Sequence, residues 1–207
     1  VRIDESHISG RGGWGQMAGV RRFDEQQALG RALEVFGTRG FRATSMLDLA
    51  AATGVQRGSL YHAYGGKEEI FLRAFRSYAD QFLAGAAESL REPDKRSALL
   101  AFFDYCIRSI TLGRPSRGCL STRTAIDASI EAPQVEAVVR KLLDALEETV
   151  HHALTTIDDQ AALAVDPRDA ARLVVTTTRG IAVMERVHHD REQLANIAKT
   201  LVDSLVQ

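Results

Sequence analysis

Apolar side chains recur along the chain at intervals of three and four residues, and an alternation of period two persists nowhere. The pattern predicts an all-α protein of about nine helices without internal repeats. Leu29, Leu33 and Phe36 mark the inward face of a first helix from about Asp24 to Arg39, and Gly40 supplies its stop. Two short helices follow, and a long one runs from Lys67 to Arg91, ended near Pro93. Further helices are predicted over Asp94–Leu112, about Cys119–Ser129, Pro133–Ile157, Pro167–His188 and Arg191–Val206. A Gly113-Arg114-Pro115 loop lies between the first two of these. Pro133 and Pro167 each fall in a first helical turn, where the missing N–H is no loss.

The most informative stretch is Thr44 to Lys67, T-S-M-L-D-L-A-A-A-T-G-V-Q-R-G-S-L-Y-H-A-Y-G-G-K. Ser45 and Asp48 have the spacing of a capping box, each able to satisfy the other's backbone N–H, so a helix starts there. Leu47, Leu49 and Ala50 are its expected apolar stripe, and Gly54 stops it by turning left-handed at low cost. Val55 plugs the turn. Gln56 to Tyr64 then forms a second helix with Leu60 and Tyr64, four apart, facing inward. Gln56, Arg57, Ser59, Tyr61 and His62 face outward, a set rich in hydrogen-bonding groups and free of carboxylates. This is the wiring of a helix-turn-helix, and its outer face suits a phosphate-lined groove. The same shape also serves as plain scaffold in helical proteins.

With F-G-T-R-G-F-R-A-T-S before the first short helix and G-S-L-Y-H-A-Y-G-G-K-E-E-I-F after it, Phe23 to about Phe75 resembles the DNA-binding domain of the tetracycline-repressor (TetR) family. It departs from the common pattern at Ala63 and at Gly65-Gly66, where a polar capping residue more often precedes the lysine. The resemblance implies phosphate contacts from Ser45, Ser59, Tyr61, His62 and Lys67, and base-edge contacts from Arg57, Gly58 and Gln56, with Thr44 in the same DNA-facing set. Elementary chemistry agrees: the Arg57 fork matches guanine O6 and N7, Gly58 permits close backbone approach, and Lys67 opens a helix whose free N–H groups attract a phosphate. The resemblance further implies a ligand-responsive regulator, a repressor that binds a palindromic double-stranded operator as a homodimer and is released by a small molecule. It implies neither enzymatic activity nor a cofactor.

Composition narrows the picture. A hydrophobic content of 45% with 26% charged residues suits a globular chain, and no stretch is apolar enough to span a membrane. Two cysteines in 207 residues are too few for a disulfide scaffold and fit a reducing cytoplasm. Charge is uneven: residues 21–76 hold nine Lys or Arg against six Asp or Glu, and residues 77–207 hold fifteen against nineteen. A basic head on an acidic body divides the chain into a DNA-binding domain, 21–76, and an effector-binding and dimerisation domain, 77–207. Residues 1–20 lack the apolar core of a signal peptide. With Gly10, Gly12, Gly13 and Gly15 close together they read as a flexible tail, or as an extension upstream of a native start at Met17. Arg21 and Arg22 form a basic arm able to enter a minor groove, or an ordinary solvated segment.

In the body, Leu173, Val174, Thr177, Ile181 and Met184 form one apolar stripe, and Leu194, Ile197, Leu201, Val202 and Leu205 another. Such stripes serve as internal core or, as the resemblance implies for this helix pair, as a dimer interface. Phe102, Tyr105, Cys106, Cys119, Arg123 and Leu143 are the expected lining of an effector pocket, apolar with a few polar groups. Cys119 follows Arg117-Gly118 at a helix start, where dipole and guanidinium would lower its thiol pKa; the plainer reading is a small buried hydrophobe.

One alternative comes from another class. Glu148-x-x-His151 and Glu185-x-x-His188 sit on two predicted helices, as in di-iron carboxylate bundles, which also need a Glu from each of two other helices. The helix from Asp94 to Leu112 offers Asp104 and no Glu, and a metal bundle would leave the helix-turn-helix unexplained. Metal analysis of purified protein separates the two readings.

Overall fold

The computed structural model describes residues 23–113, 118–128 and 132–207, and among them it forms nine α-helices and no strand. They are α1 (Glu25–Arg39), α2 (Met46–Thr53), α3 (Arg57–Tyr64), α4 (Lys67–Ser89), α5 (Lys95–Thr111), α6 (Leu120–Ala128), α7 (Pro133–Thr156), α8 (Pro167–His188) and α9 (Arg191–Leu205). The tail 1–20, the Arg21-Arg22 arm and Arg117 lie outside the described residues.

Local chemistry explains where the helices begin. Asp24, Asp94 and Asp190 each accept the backbone N–H three residues on, at 3.0, 2.8 and 3.0 Å, satisfying a donor that the first turn cannot. Asp166 accepts from Arg168 N at 2.8 Å, and Pro133 and Pro167 open α7 and α8. Several helices stop one or two residues before the expected ends: Ile157 and Val206 still return their N–H groups to Ala153 O and Val202 O at 3.0 Å, but their own backbone is already extended.

α1, α2 and α3 pack as a head on the N-terminal half of α4, and α4, α5, α7, α8 and α9 form the body. A file of aromatic rings joins the two. Phe36 of α1 meets Phe71 edge-on at 5.0 Å, and the file continues through Phe75, Tyr78 and Phe82 to Tyr105 of α5, with centroids 5.3–5.9 Å apart. α6 bridges the halves from the side, resting on α7 and touching α1.

Several expected core positions shift. Leu47 is 63% exposed, and Met46 enters the head core in its place beside Leu49. In α1 the small Ala28 and Ala32 face inward with Phe36, allowing close helix approach, while Leu29 and Leu33 are only half-buried at the flank. In α8 the inward stripe is Ala171, Val174, Val175, Thr178, Ile181 and Ala182, which leaves Leu173 and Met184 outside it.

Candidate functional site

The head presents α3 on a short, well-braced turn. Gly54 adopts the left-handed conformation (φ 70°) and its N–H returns to Ala50 O at 3.0 Å. Buried Thr53 donates its hydroxyl to Leu49 O at 2.7 Å and accepts from Val55 N at 3.2 Å, closing the turn from inside. Leu60 and Tyr64 anchor α3 in the core as expected. On the opposite side Gln56, Arg57, Gly58, Tyr61 and His62 are exposed, and Ser59 is half-buried. Among the described residues the side chains of Gln56, Arg57, Tyr61 and His62 have no hydrogen-bond or ion-pair partner, and no side chain caps the first turn of α3. A helix end with open N–H groups, a guanidinium and hydroxyl and amide donors is equipped to bind phosphates and base edges.

The flanking residues are more committed than their expected roles suggested. Thr44 is 2% exposed and donates its hydroxyl to Gly40 O at 2.6 Å, so its side chain braces the head instead of facing outward. Ser45 forms the capping box, accepting from Asp48 N at 3.2 Å and donating to Asp48 Oδ2 at 2.7 Å. Lys67 turns inward: its ammonium donates to Phe41 O at 3.0 Å and Arg42 O at 3.4 Å, and lies 4.7 Å over the Phe41 ring. It clamps the α1–α2 connection to α4, a role visible only once Phe41 is placed.

A cavity of about 1010 Å³ opens at the seam between head and body, walled by α1, α4, α5, α6 and the end of α8. Tyr105 and Arg123 line it as expected, while Phe102, Cys106, Cys119 and Leu143 do not. Phe102 and Cys106 point into the closed core, 0% and 5% exposed, because the α5 face that carries them packs against other body helices. Tyr78, Gln81, Arg186 and His189 complete a wall that sequence periodicity did not single out. Arg123 also reaches the head, donating from Nη1 to Gly37 O at 3.2 Å. Asp127, one turn on, accepts from Arg42 N at 3.1 Å.

Cys119 sits behind this wall. Its guanidinium neighbour is Arg179 of α8, with Nη1 at 3.3 Å from the sulfur and 2.6 Å from Ser121 Oγ. Burial pushes the Cys119 thiol up, but Arg179 and hydrogen bonds from Ser121 and Thr122 outweigh it and leave the pKa below that of an ordinary thiol. Burial pushes Cys106 up to about 12.

The carboxylate and imidazole groups of the di-iron alternative do not converge. Glu148 is held by Arg168 at 2.9 Å, and buried Glu185 lies 3.5 Å from His189. Among the described residues no three His, Cys, Asp or Glu side chains gather where a metal could bind.

Comparison with known proteins decides the family. The family model for bacterial regulatory proteins of the tetR family matches residues 28–74, and that for the tetracyclin repressor-like C-terminal domain matches residues 96–201, about half of the chain. The chain belongs to the tetR family. Its relatives include the uncharacterized HTH-type transcriptional regulator YezE of Bacillus subtilis, 28% identical over 88% of this chain and 90% of that protein. The HTH-type transcriptional repressor ComR of Escherichia coli is 25% identical over 86% and 87%. Among solved structures, reduced E. coli NemR shares the fold with a TM-score of 0.80 at 17% identity, covering 87% of this chain and 96% of NemR. A cysteine mutant of the TetR-family regulator CifR bound to 26-bp operator DNA matches with a TM-score of 0.73 at 25% identity, covering 90% and 98%. This TetR-family chain is therefore a DNA-binding transcription regulator, and the metal-bundle reading has no support. None of its described helices is long and apolar enough to cross a membrane.

Proposed function

We propose that the protein is a homodimeric cytoplasmic repressor that holds a palindromic operator with its two α3 helices and lets go when a small molecule enters the seam cavity. The observation that carries this reading is the unpartnered outer face of α3. Arg57 and Gln56 read base edges, Tyr61, His62 and Ser59 hold phosphates, and Gly58 lets the backbone approach. Ser45 and Lys67 meet the backbone of the DNA with the hydrogen-bonding capacity left over from their internal contacts. Residues 21–76 act as the reading head and residues 77–207 as the effector and dimer body.

The dimer follows from what α8 and α9 leave outside. Leu173, Val183, Met184, Val187 and Ile197 are 37–67% exposed in one protomer, on two adjacent helices whose inner faces are already filled. A two-fold mate covers such a surface and doubles the contacts on a palindrome. The coupling is a difference in effector affinity between DNA-competent and DNA-incompetent dimers.

Selection of bound sequences from random DNA tests the reading directly. It should recover a palindrome with two half-sites about one helical turn apart. Recovery of no enriched sequence by a folded protein would remove the regulator assignment.

A further inference from the structure

The seam cavity carries an uneven charge. Arg123 and Arg186 both line it, with His189 beside them, and Glu34 is the acidic residue among its described walls. Arg186 differs from most of the described arginines of the body. Arg96, Arg108, Arg140, Arg168, Arg172 and Arg191 each contact an Asp or Glu. Arg186 has no such partner among the described residues, and its neighbour Glu185 turns into the core. Its guanidinium lies instead against Gly118, where a Cβ would come within 2.7 Å of Nη1. Gly118, at φ 67°, leaves room for the arginine to lie across the cavity wall.

The remaining wall is of another character. Tyr78, Phe82 and Tyr105 offer aromatic faces, Leu33, Leu112 and Leu120 aliphatic ones, and Gln81 and Ser109 scattered polar groups. About 1010 Å³ is far more than an inorganic ion fills and matches an organic molecule with a sizeable apolar part.

We propose that this cavity binds an amphipathic organic anion, with its acidic group on Arg123 and Arg186 and its apolar part against Tyr78, Phe82 and Tyr105. The proposal rests on the reading of the chain as a ligand-responsive regulator and names the chemical class of its effector. A planar guanidinium pair suits a carboxylate or sulfonate because each guanidinium can donate two parallel hydrogen bonds to its oxygens, and the half-closed wall strengthens them. A neutral molecule of the same shape would give Arg186 no anionic acceptor and leave Arg123 with the Gly37 carbonyl alone.

Two probes with the same rings separate charge from shape: 1-anilinonaphthalene-8-sulfonate, and N-phenyl-1-naphthylamine, which lacks the sulfonate. In fluorescence titrations of the full chain the sulfonate should bind at one site per protomer. Arg186→Met and Arg123→Met should each weaken it about tenfold while changing the neutral probe less than about twofold, and Arg186→Lys should keep part of the preference. Arg186 is exposed, so its variants should retain the wild-type circular dichroism spectrum. Equal affinity of both probes for wild type, or sulfonate binding unchanged in both Met variants, overturns the proposal. Retention of a selected DNA fragment by the same preparations keeps the tests apart. Lost charge preference with intact DNA binding sinks the anion site alone, and intact charge preference in a protein that binds no DNA sinks the regulatory reading.

Discussion

Arg123 of α6 and Gly37 in the last turn of α1 are joined by a 3.2 Å hydrogen bond from the guanidinium Nη1 to the carbonyl oxygen. That oxygen is at the end of a helix, where carbonyls lack intrahelical donors and a cation is favoured. Asp127 adds a second tie, through Arg42 N, over Gly40, where any Cβ would collide with its carboxylate. The head is thus tethered to the body by the short helix that also walls the cavity. Arg123→Met should lower stability by about 1 kcal/mol and speed amide exchange in residues 36–42. Unchanged exchange there would show that the tether does not restrain the head.

An acid bound to Arg123 competes for the same guanidinium. Saturating anilinonaphthalene sulfonate should therefore raise exchange over residues 36–42 in wild type and have no further effect in Arg123→Met. An equal rise in both proteins would mean that the signal leaves the cavity by another route.

Two cations of the head should behave differently. Arg57→Ala removes an exposed, unpartnered side chain, so the melting temperature should stay while affinity for the preferred operator falls by about 1–3 kcal/mol and sequence preference relaxes. Lys67→Ala removes a clamp on two carbonyls and should lower the melting temperature even without DNA. Equal thermal stability of Lys67→Ala and wild type would return Lys67 to a purely DNA-facing role.

Arg179 should set the reactivity of Cys119. The pH profile of alkylation in wild type should have its midpoint below that of an ordinary thiol, and Arg179→Met should move it to higher pH, since removing the cation leaves burial to disfavour the thiolate. Cys106 should stay silent through neutral pH. A profile unmoved by Arg179→Met would assign the shift to Ser121 and Thr122.

Lys95 and Asp159 pair with little exposure, and the Lys95 ammonium and backbone N–H hold the Asp159 carboxyl below the usual carboxylate range. A lowered folded-state pKa stabilises above the unfolded value and is lost as pH falls through the folded one. Asp159→Asn should therefore destabilise at neutral pH and less so in acid. A constant difference from neutral pH down to about pH 2 would show that the loss is steric.

Helix ends and the α3 face were legible because their signals are local: Ser45 with Asp48, Gly54, Pro133 and Pro167 each act within one turn. The cavity was not, because its cationic wall brings together Arg123 of α6 and Arg186 of α8, which lie far apart in the chain. Phe102 and Tyr105 look alike in a periodic pattern, yet three positions on one helix send one into the core and the other to the seam. Cys119 shows the same limit: the guanidinium of Arg179 beside it is brought close only by tertiary packing.

The aromatic file from Phe36 to Tyr105 bears on how this protein could be rebuilt. The change in charge suggests a cut near residue 76, but that point falls between Phe75 and Tyr78, whose rings are 5.8 Å apart. A hybrid regulator spliced there would mate a foreign ring edge with a native one and leave the contact to chance. The smallest transplantable reading module runs instead through Phe82 and brings the Tyr105 face of its own α5 with it. On the proposed reading, operator choice and effector choice are therefore inherited through one shared helix and are not exchangeable as independent parts.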